Sequence, residues 1–200
     1  MLKIFNYFEF KEKGTTLVEI AVVMFIITMF SLILINDFPK ILRQFAVSRS
    51  AYKLSQDIRR VEDLGLSGVK IVGQADPIGG YGLYIDKTYV DGDKQYKIYA
   101  DNCSETADFK YTSITGCQDY IVETIIISEM QAGVYIKEIN GTGNSYNYIS
   151  INFTPPNPKI TITEFNPLEE KSIDIVIGSI FDSSLEKTVS VNTSGLIEVK

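Results

Sequence analysis

Lys11-Glu12-Lys13-Gly14-Thr15-Thr16-Leu17-Val18-Glu19, followed by an uncharged run from Ile20 to Ile35, decides how this chain is read. A short charged segment ends at a glycine, and an apolar helix is predicted to start at once. Its only charge is Glu19, the fifth residue after Gly14. A carboxylate inside an apolar spanning segment costs about 2.5–3.5 kcal/mol on insertion scales, so it points to a role and to a partner. From Thr15 to Ile35 a helix reaches about 31 Å, the thickness of one bilayer core. Asn36-Asp37-Phe38-Pro39-Lys40 offers no small-residue site of the kind that ends a secretory signal. The segment is therefore read as spanning. Lys3, Lys11 and Lys13 precede it, which argues for the N-terminus inside and the remainder outside.

Beyond Pro39, where a kink is expected, the pattern turns amphipathic. Val47, Ala51, Leu54, Ile58 and Val61 step by four, three, four and three, which is one helical face. Lys40, Arg43, Arg49, Lys53, Arg59 and Arg60 occupy the others. Gly65 and Gly68 are expected to cap and end the helix. After Gly68 the period drops to two. Strands are expected over 81–85, 95–100, 120–127, 134–139, 148–153, 159–163, 173–177, 188–191 and 196–199, with turn chemistry at Asp91-Gly92-Asp93 and Asn140-Gly141. The expected fold class is α+β: a long N-terminal helix packed on an all-β, two-sheet, sandwich-like domain. The expected divisions are a leader over 1–14, a helix over 15–66 (15–36 membrane-spanning, 37–66 amphipathic) and a β-rich domain over 67–200.

Composition removes several chemistries. The chain of 200 residues has no His and no Trp, and its formal charge is −6. Without His, the commonest general base and the commonest metal ligand are both missing. No catalytic residues and no cofactor are assigned, and a zinc site lacks its further ligands. From residue 67 onward there are ten Lys, no Arg and eighteen acidic residues, a charge of −8 that disfavours nucleic acid. Asp86, Asp91, Asp93 and Asp101 gather carboxylates around two strand ends. They are the residues a calcium ion would use, but the spacing lacks an EF-hand pattern, and a solvated turn is the preferred reading. Cys103 and Cys117 are the only cysteines. In an exported domain they are expected to form a disulfide worth ~3 kcal/mol in the chain-entropy model. Two free thiols in a reducing compartment are the alternative.

Gly14, Thr16, Leu17, Val18 and Glu19 behind a basic leader resemble the processing site of type IV prepilins and pseudopilins; Thr15 departs from the Phe or Met usual there. The layout of one long helix before an all-β domain is similar to the minor pseudopilin H group (GspH/FimT type), as are Ser55-Gln56-Asp57-Ile58-Arg59-Arg60-Val61, Gly80-Tyr81-Gly82-Leu83-Tyr84 and Ser194-Gly195-Leu196-Ile197. The resemblance implies cleavage by a prepilin peptidase between Gly14 and Thr15 and N-methylation of Thr15. It also implies an assembly role for Glu19, paired with the terminal amine of a neighbouring subunit. Implied partners are the peptidase, other pilin or pseudopilin subunits through the helix, an inner-membrane assembly platform and the lipid bilayer. The implied location is the cytoplasmic membrane with the domain outside, then an extracytoplasmic filament. The alternative from another class is a singly anchored extracellular binding module that never assembles.

Overall fold

Helix α1 runs from Leu17 to Ser67, 51 residues with Pro39 inside it. The computed structural model describes residues 14–71, 76–102, 108–114, 117–130, 133–155, 159–164 and 170–200. The chain divides into two units, Met1–Ile41 and Leu42–Lys200.

In the first unit the apolar side chains of α1 from Leu17 to Ile35 stand exposed on every face. Its hydroxyls turn back onto their own helix: Thr28 Oγ1 donates to the Phe25 carbonyl at 2.9 Å, and Ser31 Oγ to the Ile27 carbonyl at 2.8 Å. Such back-bonding satisfies polar atoms without any solvent, which is what a lipid environment demands. Among the described residues, α1 is the one helix long and apolar enough to cross a membrane.

In the second unit, α1 buries Val47, Ala51, Leu54, Ile58 and Val61, the face expected from their spacing. They join one apolar core with two antiparallel sheets. The strands are β1 (Gly80–Asp86), β2 (Gln95–Asp101), β3 (Ser113–Ile114), β4 (Cys117–Gln118), β5 (Tyr120–Ile126), β6 (Val134–Asn140), β7 (Tyr148–Thr154), β8 (Lys159–Thr163), β9 (Ser172–Ser179), β10 (Asp182–Asn192) and β11 (Ile197–Val199). Five form a sheet in the order β5-β2-β1-β7-β8, four a sheet in the order β11-β10-β9-β6, and β3-β4 a small ribbon. Alternation places Tyr81, Leu83 and Ile85 of β1 and Ile149, Ile151 and Phe153 of β7 in the core, with Ile173, Ile175 and Ile177 from β9. The architecture is thus α+β, one long N-terminal helix and a domain rich in antiparallel sheet.

Several details differ from the expected pattern, among them β10, which begins at Asp182 where strand was expected only over 188–191. The ribbon β3-β4 was not anticipated, because two residues per strand are too few to show a period. A four-residue helix α2 (Ile127–Met130) follows β5 and takes Ile127, the last residue of the strand expected over 120–127. Gly65 is not the cap but an interior helical residue: a methyl there would meet the Phe153 carbonyl oxygen at 2.5 Å. Gly68, at φ +57°, is the residue that ends the helix in the left-handed conformation.

Asp57 of α1 is buried, yet its carboxylate is fully engaged. It accepts from Lys53 Nζ at 2.6 Å and from the Tyr96 hydroxyl of β2. Burial and this neighbouring carboxylate push the Tyr96 phenol well above its usual range.

Because the obstacle at Gly65 is backbone, which cannot swing aside, Gly65→Ala is expected to destabilise the domain by about 1–3 kcal/mol. A thermal melt of the full chain in detergent reads this as a loss of several degrees. An unchanged midpoint would show that α1 and β7 can part without cost.

Candidate functional site

Gly14, Thr15 and Thr16 are exposed and precede the first helical residue. Thr16 is the N-cap. Its Oγ1 accepts from the Glu19 backbone N–H at 3.3 Å, and Glu19 Oε2 accepts from the Thr16 backbone N–H at 2.9 Å and from the Thr16 hydroxyl at 3.1 Å. This is a reciprocal capping box, with Thr at the cap and Glu three residues on. The charge expected to wait for an outside partner therefore already satisfies the first orphan amide of its own helix. The signal was in the sequence as Thr16-Leu17-Val18-Glu19, overshadowed by the apolar run after it.

The four carboxylates singled out from the sequence do not converge as a set. Asp86 closes a local turn, accepting from the Tyr84 hydroxyl at 2.7 Å and from the Thr88 backbone N–H at 2.8 Å. Asp91, at φ 60°, pairs with Lys94 at 2.6 Å, and Asp93 sits in the 3-10 turn Gly92–Lys94. Only Asp101 enters a grouping. It lies with Asp108 and Asp119, their ligand oxygens within 4.8 Å of one another. Asp101 Oδ2 accepts from the Phe109 N–H at 3.0 Å. Asp119 takes the N–H groups of Asn102 at 3.2 Å and Thr112 at 2.7 Å, and Asp108 takes the Thr112 hydroxyl at 2.6 Å. Burial, offset in part by the Thr112 N–H and reinforced by the Asp108 charge, raises the Asp119 carboxyl to about 6. These three are the residues that could hold a hard cation, though calcium takes six to eight oxygens and three carboxylates do not complete its shell. Asp108 and Asp119 had no distinguishing spacing in the sequence; they meet Asp101 only in the folded domain. Cys117 opens β4 and is not a free thiol. Cys103 lies outside the described residues, as does the leader before Gly14.

Tyr111 lies on the outer face of the five-stranded sheet. Its ring centroid lies 4.6 Å from that of Tyr84 and 5.5 Å from that of Tyr99, its N–H donates to Ser150 Oγ at 3.0 Å, and Lys97 Nζ stands 5.4 Å from its ring. Tyr99 in turn lies over Gly82, where a methyl would meet the ring at 2.3 Å. Beside Tyr111 opens a groove of about 510 Å³ lined by Tyr84, Tyr89 and Tyr148 with several charged residues.

No protein-family model, no curated protein and no solved structure matches the chain.

Asp119 sets a pH dependence. Its folded carboxyl, at about 6, lies above the ordinary 3.8, so the folded domain binds a proton that the unfolded chain does not. That contribution is full below about pH 4 and is lost as pH rises through 6. Asp119→Asn is expected to flatten the difference in melting temperature between pH 4.5 and pH 7.5 relative to the unaltered chain. Parallel profiles for the two proteins would contradict it.

Proposed function

We propose that this chain is a type IV pilin-like filament subunit, most similar to a minor pilin or minor pseudopilin of the H type. The observation that carries the reading is the helix start: a glycine separated by two threonines from an exposed apolar stretch, Leu17–Ile35, whose lone carboxylate, Glu19, is held in fixed orientation by Thr16. The rest of the chain is compatible with it. The later part of α1 contributes a buried stripe to a domain of antiparallel sheets, which we read as a pilin-like, sandwich-like domain. In this reading a prepilin peptidase cuts between Gly14 and Thr15, and Thr15 is the methylated terminus. The helix is stored in the cytoplasmic membrane with the domain outside, and an assembly platform moves it into a filament. There, apolar contacts with neighbouring helices replace lipid, and Glu19 pairs with the amine of an adjacent Thr15. A Cys103–Cys117 disulfide would staple the segment that carries Asp108 and Tyr111.

A second reading, a singly anchored extracellular binding module, is favoured by one observation, the tyrosine-lined groove on the five-stranded sheet.

Mass and N-terminal sequence of the protein from its native membrane decide between them. A start at Thr15 is expected; a start at Met1 would leave the anchored module as the account. Two variants then separate the roles of Glu19. Glu19→Gln retains the capping box, because Gln serves equally at that position, but lacks the charge. Incorporation into sheared filaments is expected to fall at least tenfold for both Glu19→Gln and Glu19→Ala while membrane insertion is unchanged. Normal incorporation of Glu19→Gln would reduce Glu19 to a helix cap.

A further inference from the structure

We infer that the groove on the outer face of the five-stranded sheet is a binding site for a neutral, pyranose-containing glycan. The inference holds whether or not the chain assembles into filaments. The floor of the groove is a single cross-strand row. Lys97 of β2 pairs with Tyr84 of β1, Tyr84 with Ser150 of β7, and Ser150 with Thr163 of β8. In the adjacent row Asp86 pairs with Tyr148. Residues paired in this way project to one face, so six groove residues are fixed by the sheet itself. A site built on strands holds its geometry better than one built on loops.

The chemistry of the lining fits a polyhydroxylated ligand. Four tyrosines, 84, 89, 111 and 148, offer flat apolar rings that end in a polar hydroxyl. The C–H faces of a pyranose stack on such rings, while its hydroxyls need both donors and acceptors. Acceptors are at hand in Asp86 and Asp108, and a donor in Lys97, while the hydroxyl and N–H of Thr88 are both given to Asp86. Asp86 is already oriented by the Tyr84 hydroxyl and the Thr88 N–H, so its carboxylate needs no reordering on binding. The groove's carboxylates and ammonium groups nearly balance, and the domain around it is acidic. An anionic ligand would therefore meet no attracting field. The volume, about 510 Å³, lies in the range of small-ligand sites.

Full-length protein in a detergent without a sugar headgroup is titrated with cellohexaose, laminarihexaose, maltohexaose and chitohexaose, with hexagalacturonate as the anionic comparison. Binding is read by saturation-transfer NMR and calorimetry. At least one neutral hexaose is expected to bind and to be preferred over hexagalacturonate at least tenfold. Tyr89, 69% exposed at the rim, can be changed with little risk to folding. Tyr89→Ala and Tyr148→Ala are expected to weaken binding at least fivefold, and Tyr52→Ala, on an exposed part of α1 outside the groove, to leave it unchanged. Should Tyr148→Ala fail to fold, Tyr89→Ala still decides. Failure of all four neutral hexaoses to bind, preference for hexagalacturonate, or equal binding by Tyr89→Ala would each overturn the assignment. N-terminal processing is read independently, so its outcome does not bear on this one.

Discussion

A single helix has to satisfy two surroundings, and the remainder of the structure follows from how its polar atoms are disposed. Over Leu17–Ile35 nothing is left asking for water. Thr28 and Ser31 return their hydroxyls to carbonyls of the same helix, and the one carboxylate sits at the first turn, where it accepts from the Thr16 backbone N–H. Past residue 41 the demand reverses: one stripe must be dry and the others wet. Val47, Ala51, Leu54, Ile58 and Val61 supply the dry stripe, and the basic residues supply the wet ones. The exception is Asp57, a charge on the buried side. It is tolerated because Lys53 and the Tyr96 hydroxyl both donate to it; a buried charge that kept neither would be strongly destabilising.

The outer face of the five-stranded sheet is arranged by a different rule. Its inner face is filled by isoleucines and tyrosines, but its outer face carries Gly82, Tyr99, Asn152 and Thr161, too polar to act as core and too buried to act as surface. Phe109 and Tyr111 lie against it. Tyr111 stacks over Tyr84 and Tyr99, the Phe109 N–H donates to Asp101, and Asp119 accepts the backbone N–H groups of Asn102 and Thr112. That arrangement leaves three carboxylates close together and raises the affinity of Asp119 for a proton.

Periodicity made the large elements legible. The four-three stepping of the helix and the alternation of the strands needed no tertiary information, because each is a local consequence of which face is dry. What escaped was set by contacts distant in sequence. Gly65 looked like a cap because glycine commonly ends helices; its actual constraint is the Phe153 carbonyl, far along the chain. The carboxylates that meet are Asp101, Asp108 and Asp119, whereas proximity in sequence suggested Asp86, Asp91, Asp93 and Asp101. Tyr84, Tyr111 and Tyr148 converge only through strand register and the stacking of Tyr111 on the sheet. The capping box was legible but was read as an isolated charge.

The close approach at Gly65 also has a mechanical meaning. Along the buried stripe of α1, the glycine seats the helix against the β7 backbone at one axial position, and Asp57 ties it to β2 two turns earlier. Tension applied along the helix axis is therefore delivered to β7 and β2, the strands either side of β1, as shear, spread over a keyed contact and a buried polar link. Sliding the helix by one residue would bring a Cβ against the Phe153 carbonyl. The domain thus resists being drawn along its own helix in small increments and yields, under load, as a unit.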